Sequence, residues 1–192
     1  MMKRTIRSVL AMSLGLCLMA SAARAEDEMV ANPAYTSWAS HKAGTLVTSE
    51  MNTSVAGQTM KTEMAQKLVE LTPEKAVVEV SIKLNLPGVP APAPQKQEIP
   101  AKVKASDAKP GKLPEGVKGE VKETGTEKVE VAGKTYECKV TEFTGEQNGS
   151  KTTGKTWTSD KIPGTLAKME TTGNAAGQET KMTMTVLKIE TK

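Results

Sequence analysis

The chain is predicted to be all-β: a curved antiparallel sheet or half-barrel of about eight to ten strands, with one short N-terminal helix. Three observations carry this. From Thr45 onward, apolar and polar residues alternate with a period of two, most cleanly in AVVEVSIKLNL. Short turn signals separate the alternating runs, among them Ala56-Gly57 and Ala132-Gly133. Only one stretch, NPAYTSWASHKAG, has helical spacing and helix-end chemistry.

The first 25 residues precede the fold. Lys3, Arg4 and Arg7 form a basic start, Val9 to Ala20 is nearly continuous apolar sequence, and Ala23-Arg24-Ala25 offers small residues at a cleavage site. This is the pattern of a secretory leader cut after Ala25, and the apolar run is too short to span a bilayer. Leu16 before Cys17 does not suit a lipid-attachment box. Residues 26–192 are then expected as a single β-rich domain, exported to the periplasm or beyond, with no later transmembrane segment.

Asn32 suits an N-cap and Pro33 the first helical position. Tyr35 and Trp38 fall on one helix face, and Gly44 stands where a closing glycine belongs, so the helix is expected over Pro33 to Lys42. Strands follow at Thr45 to Asn52 and Gln58 to Leu71, joined through Val55-Ala56-Gly57. Thr72 to Lys75 is a turn. In the next strand Val78, Val80, Ile82, Leu84 and Leu86 share one face, and Glu79, Ser81, Lys83 and Asn85 the other.

Pro87 to Gly116 holds seven of the ten prolines and is expected as a mobile insertion, with an edge strand possible around Gln97 to Val103. Strands resume near Val117. Thr126 to Val131 and Lys134 to Thr144 flank Ala132-Gly133; Lys151 to Ser159, Thr165 to Thr172 and Gln178 to Thr191 complete the set. In the last, Met182, Met184 and Val186 share a parity that Leu187 and Ile189 break, so a bulge is expected near Val186. The shared V-A-G-x-T of Val55 and Val131 reads as two similar hairpin turns.

Charge narrows the function. The chain carries 26 Lys+Arg against 22 Asp+Glu, but Lys3, Arg4, Arg7 and Arg24 lie in the leader, so the remainder is balanced. Aromatics make up 3% of residues. Nucleic-acid binding needs a basic surplus and usually stacking platforms, so it is set aside.

Gly149 to Thr156, GSKTTGKT, matches the phosphate-loop pattern. That loop works between a buried strand and a helix, where backbone N–H groups wrap phosphate. Here polar TGEQN precedes it and WTSDKIPG follows, so a turn running into a strand is expected, and no nucleotide.

Reactive side chains do not assemble a site. His41 is the one histidine and has no partner at metal-ligand spacing. Cys138 alternates between Tyr136 and Val140 and is expected to pack in the core, inert. Glu63, Glu70, Glu79, Asp160 and Glu170 read as solvated positions. Met60, Met64, Met182 and Met184 read as core filling ahead of a soft-metal site, since no His or thiol joins them. No enzyme activity, cofactor or metal is expected.

NPAYTSWASHKAGTLVT near the start, and VEVAGKTYECKV followed by KTWTSDKIPGTLAKME, resemble a family of exported bacterial proteins of uncharacterised role, with an N-P-x-Y-x-x-W opening and a later W-x-S-D-x-x-P-G segment. The strand layout is similar in architecture to the half-barrel of the LolA/LppX-like lipoprotein carriers. That likeness implies a cupped sheet able to hold an apolar ligand. Met60, Val78, Val80, Ile82, Leu84, Trp157 and Met184 are the residues expected to line such a cleft, or equally to close a core. The expected partner is a hydrophobic small molecule or lipid. The alternative is another envelope protein that meets strand edges or the proline-rich segment.

Overall fold

The computed structural model describes residues 28–84, 90–108, 117–147, 149–175 and 178–192. The expected leader, residues 85–89 with Asn85 and Leu86 of the alternating strand, residues 109–116 and Asn148 lie outside them. Eleven strands and two helices follow in order: β1 (Met29–Ala31), α1 (Pro33–Ala39), β2 (Leu46–Val55), β3 (Gln58–Leu71), β4 (Lys75–Leu84), β5 (Gln95–Pro100), β6 (Lys102–Lys104), α2 (Ala105–Ala108), β7 (Lys118–Val131), β8 (Lys134–Gln147), β9 (Ser150–Thr158), β10 (Leu166–Ala175) and β11 (Gln178–Glu190).

Nine strands form one antiparallel sheet in the order β5-β4-β3-β2-β11-β10-β9-β8-β7, and β1 pairs with β6 in a second, two-stranded sheet. The predicted all-β class is thus observed, as an open sheet. Each half is a meander of hairpins. The halves join where β2 pairs with β11, Met51 opposite Met184. Both flanks of the proline-rich segment therefore feed the same sheet.

The hairpins form because their turns suit the sheet's twist. Ala56 and Gly57 have φ of 49° and 80°, and Ala132 and Gly133 have 51° and 75°. Positive φ at both central residues is the type I′ signature. This explains the repeated V-A-G. Alanine tolerates that region poorly, and asparagine tolerates it well. Ala132→Asn is expected to stabilise the fold by roughly 0.5–1 kcal/mol, read as a higher urea midpoint at unchanged slope.

The predicted bulge is present: the β11–β2 register shifts between Val186 and Lys188, leaving Leu187 48% exposed. Similar shifts occur at Leu68/Glu70, Glu123/Gly125 and Leu166/Lys168. Bulges bend strands and increase twist, and β7 reaches round to touch β11.

Several boundaries differ from the sequence reading. Helix α1 ends at Ala39 with Ser40 as C-cap, short of Lys42. Gly44 (φ 96°) instead turns the chain into the sheet, its N–H donating to the Leu68 carbonyl at 2.7 Å. Strand β7 is one 14-residue strand beginning at Lys118. Its KGEVKETGTEKVEV has charge alternating where hydropathy was sought. The segment expected as a mobile insertion pairs twice over its described residues, β5 on β4 and β6 on β1. The edge strand allowed near Gln97 to Val103 is thus split at Ala101.

One core cluster includes Trp38, Val47, Leu68, Val78, Val140, Trp157, Ile162 and Val186. Helix α1 is keyed into it from several directions. Asn32 Oδ1 accepts from the Ala34 N–H at 3.0 Å, the expected cap, while its Nδ2 donates to the Pro100 carbonyl at 2.8 Å. The Tyr35 hydroxyl donates to the Thr72 carbonyl at 2.7 Å. Buried Ser37 Oγ accepts from the Gly164 N–H at 3.1 Å, and the Trp38 ring packs against Gly164. Two of the sequence segments that carried the family resemblance therefore meet in space, through Ser37, Trp38 and Gly164. They form the lock between helix and sheet.

Candidate functional site

The sheet's two faces differ in chemistry. In an antiparallel ladder, directly opposed residues point to the same side. One row crosses eight strands as Glu123–Thr141–Thr156–Met169–Met184–Met51–Thr62–Leu84. The next row reads Val121–Phe143–Gly154–Thr171–Met182–Thr53–Met60. A third runs Val186–Ser49–Met64–Ile82. All six methionines of the large sheet, Met51, Met60, Met64, Met169, Met182 and Met184, thus share one face, on the adjacent strands β3, β2, β11 and β10.

The opposite face carries lysine and glutamate. Lys61 and Glu50 pair across it at 2.6 Å, and Lys168 and Glu170 at 2.6 Å. These partly exposed pairs add little stability; toward β7, β8 and β9 the same face is dry, with Cys138, Val140 and Trp157 buried.

The methionine face is only partly covered. Val78 and Met184 are buried, whereas Met60 is 42% and Ile82 38% exposed. Pro163, Gly164 and Leu166 close over Val47, Met64 and Met184, leaving a small cavity of about 150 Å³. Along the same rows toward β7, a larger cleft of about 910 Å³ opens between the sheet and the unit made by α1, β6 and α2. Its floor is Val121, Phe143, Thr141, Thr156 and Thr158; Ala31, Pro33, Ala34 and Val103 face them. Glu123, Lys139, Asp107 and Asp160 stand among the lining residues.

Glycines shape this side. Gly119, Gly145 and Gly173 fall in one cross-strand row on it. A Cβ on Gly154 would collide with the Phe143 ring, so the ring lies flat where the neighbouring strand has no side chain. Missing side chains on one side let a sheet curl toward it.

None of the residues predicted to line a cleft is in the lining of the larger one, but six of them, Met60, Val78, Val80, Ile82, Leu84 and Met184, share this face. Trp157 does not. Thr156 is the residue opposite Met169, so its neighbour Trp157 points to the other side, opposite Lys168. There its Nε1 donates to Glu127 Oε2 at 2.7 Å, and Lys155 and Lys168 stand 5.0 and 4.8 Å from its ring centre. Hydrogen bonds from Lys155, then from Trp157, hold the Glu127 carboxyl below its usual range. This cluster pins β7 onto β9.

The other candidates resolve structurally. GSKTTGKT starts at Gly149 (φ 78°) in the β8–β9 turn, and its other seven residues lie in β9. No helix follows to present N–H groups, and Lys155 is paired with Glu127 at 2.8 Å. Cys138 is fully buried, on the face opposite the methionines, and burial raises its thiol pKa. Burial lowers the pKa of His41, and its Nε2 has no hydrogen-bond partner. Among the described residues no helix is long and apolar enough to cross a membrane, and no cluster of His, Cys, Asp or Glu could hold a metal ion.

The sequence reading missed the cleft. Its lining is rich in threonine and alanine, which carry little hydropathy, and its walls come from segments some 90 residues apart in the chain (Ala31–Ala34 against Val121).

No protein-family model matches the chain, and no curated protein matches it. Among solved structures it is similar to a Bacteroides fragilis protein described as exported, with a YmcC-like fold, at 8% identity over 78% of this chain and 97% of that one, TM-score 0.49. It is similar to a Parabacteroides distasonis protein described as a lipoprotein, at 12% identity over 78% of this chain and 96% of that one, TM-score 0.46. A DUF1329 family protein from Desulfovibrio piger matches at 9% identity over 83% and 90% of the two chains, TM-score 0.25.

Proposed function

We propose that the chain is an exported, non-catalytic binding protein that holds an apolar chain, the acyl part of a lipid, on the methionine face and in the adjoining cleft. The observation that carries this is the one-sided placement of six methionines, half-exposed at Met60 and running along shared rows into a cleft of about 910 Å³. A closed core would bury them. Methionine is flexible and polarizable, and surfaces rich in it accept varied apolar ligands. The cleft volume falls within the range of small-molecule sites, about 300–1,000 Å³. Export rests on the leader at residues 1–25.

The rival reading offers strand edges to an envelope partner, and it has less support. The edges are β5 and β7. Strand β7 alternates Lys and Glu, and β5 is six residues long and ends in Pro100. Charge, shortness and proline are the devices that prevent strand addition.

The test is lipid retention. The protein is produced with its leader, purified from the export compartment without detergent, and extracted for mass spectrometry. Wild type should carry acyl lipid near one per chain. Met60→Glu combined with Val121→Lys changes one exposed position of the methionine face and one position in the cleft lining, and should cut that by about tenfold, the equivalent of ~1.4 kcal/mol. Absence of lipid in wild type, or equal loading in the folded double variant, would overturn the reading.

A further inference from the structure

The methionine face has a property that apolarity alone does not require. On β4 the same face is built from Val78, Val80, Ile82 and Leu84, yet on β2, β10 and β11 its central positions are thioethers. Met184 lies directly opposite Met51 on one side and directly opposite Met169 on the other. Met182 is two residues along the same strand, on the same face.

Directly opposed residues hold their Cβ atoms about 4.5–5.5 Å apart, and diagonal neighbours about 7–8 Å. A methionine sulfur stands two bonds beyond Cβ on an unbranched chain with three rotatable bonds. The sulfurs of Met51, Met182 and Met184 can therefore converge on one point above the sheet, with Met169 flanking it. Met184 is 9% exposed, which leaves Met51, Met169 and Met182 as the more accessible members.

The surroundings select the kind of ion. Among the described residues, the methionine-bearing side of β2, β3, β10 and β11 presents no carboxylate, amine, imidazole or thiol; its polar positions are Ser, Thr and Gln. Calcium, magnesium and zinc need anionic or imidazole ligands and find none. Neutral soft thioethers favour copper(I). A single positive charge is also the least costly to place on an apolar surface.

We propose that Met51, Met182 and Met184 form a binding site for monovalent copper, with Met169 beside it. This does not rest on the acyl-chain reading, although both use the same face. The site has a recognisable signature. Thioethers do not titrate, so affinity should not change between pH 7 and pH 5, whereas histidine or cysteine sites lose metal to protons there.

The test uses the delipidated exported chain, silver(I) as an air-stable probe, and copper(I) in anaerobic competition with a chromophoric chelator. One ion per chain is expected, with equal affinity at both pH values. The methyl ¹³C signals of Met51, Met182 and Met184 should shift at one equivalent. Replacing all three by leucine nearly conserves volume and should weaken copper(I) binding by about 100-fold or more. Met29→Leu, on β1 outside the large sheet, should leave binding unchanged. If the triple variant does not fold, Met182→Leu alone, at a half-buried position, should still weaken binding about tenfold. Metal binding is read on the delipidated chain and lipid loading on the chain as exported, so the two proposals can fail separately. Failure of wild type to bind silver(I) or copper(I), undiminished binding in the folded leucine variants, or affinity falling with acid in the manner of His41 would each overturn the site.

Discussion

Trp38→Ala should destabilise the protein by about 3–5 kcal/mol, enough to unfold much of a marginally stable domain at room temperature. The side chain is 1% exposed and belongs to the same core cluster as Val47, Leu68 and Ile162. Its ring lies over Gly164, where a Cβ would stand 3.5 Å from Trp38 Cζ2. The loop it meets is fixed by its own bonds. The Ser159 N–H donates to the Thr165 carbonyl at 2.8 Å, and the Thr165 N–H to the Ile162 carbonyl at 2.8 Å. A rigid loop cannot collapse into the space an indole leaves, so the cavity persists. Ser37→Ala should be milder, about 1–3 kcal/mol, because it strips the Gly164 N–H of its acceptor. Urea titrations by circular dichroism measure both. A Trp38→Ala midpoint near that of wild type would mean that the helix is not keyed to the sheet.

Gly154→Ala is the second large effect, expected at about 1–3 kcal/mol. The new methyl would meet the Phe143 ring, and beyond it the Glu170 carbonyl oxygen at 2.9 Å. The ring can swing away, but the backbone oxygen cannot. Pairing Gly154→Ala with Phe143→Ala should therefore recover only part of the loss, a non-additivity that a double-mutant cycle reads directly. Lys155→Ala, next in sequence, removes an exposed ion pair with Glu127 and should cost less than about 1 kcal/mol. In a phosphate loop the order of importance would be reversed, with the lysine central. Here the glycine answers to an aromatic ring and the lysine to Trp157 and Glu127.

Those two sites mark what the chain reveals without coordinates. The helix was legible because Asn32 and Pro33 state its start in chemical terms, and the strand that ends at Leu84 because its apolar residues alternate without interruption from Val78. The turns at Ala56 and Ala132 were legible because each is followed by glycine. Strand β7 was blurred because alternating Lys and Glu differ in charge but hardly in hydropathy. The methionine face was hidden for another reason. Met60, Met64, Met182 and Met184 sit at even positions and Met51 and Met169 at odd ones. Parity is meaningful within a strand only, and the registers that align Met51 with Met184 and Met184 with Met169 are long-range. The same dependence misplaced Trp157, whose strand parity could not be referred to β11 until β10 was seen between them.

The central claim is that the methionine face is a ligand surface and not a sealed core. It is tested most directly by methionine-methyl NMR of the delipidated chain during titration with a long-chain fatty acid. The methyl signals of Met51, Met60, Met64, Met169, Met182 and Met184 should move together and saturate, while that of Met29, on the small strand β1, stays in place. Six unmoved sheet signals at millimolar fatty acid would contradict the claim and leave the face as ordinary packing.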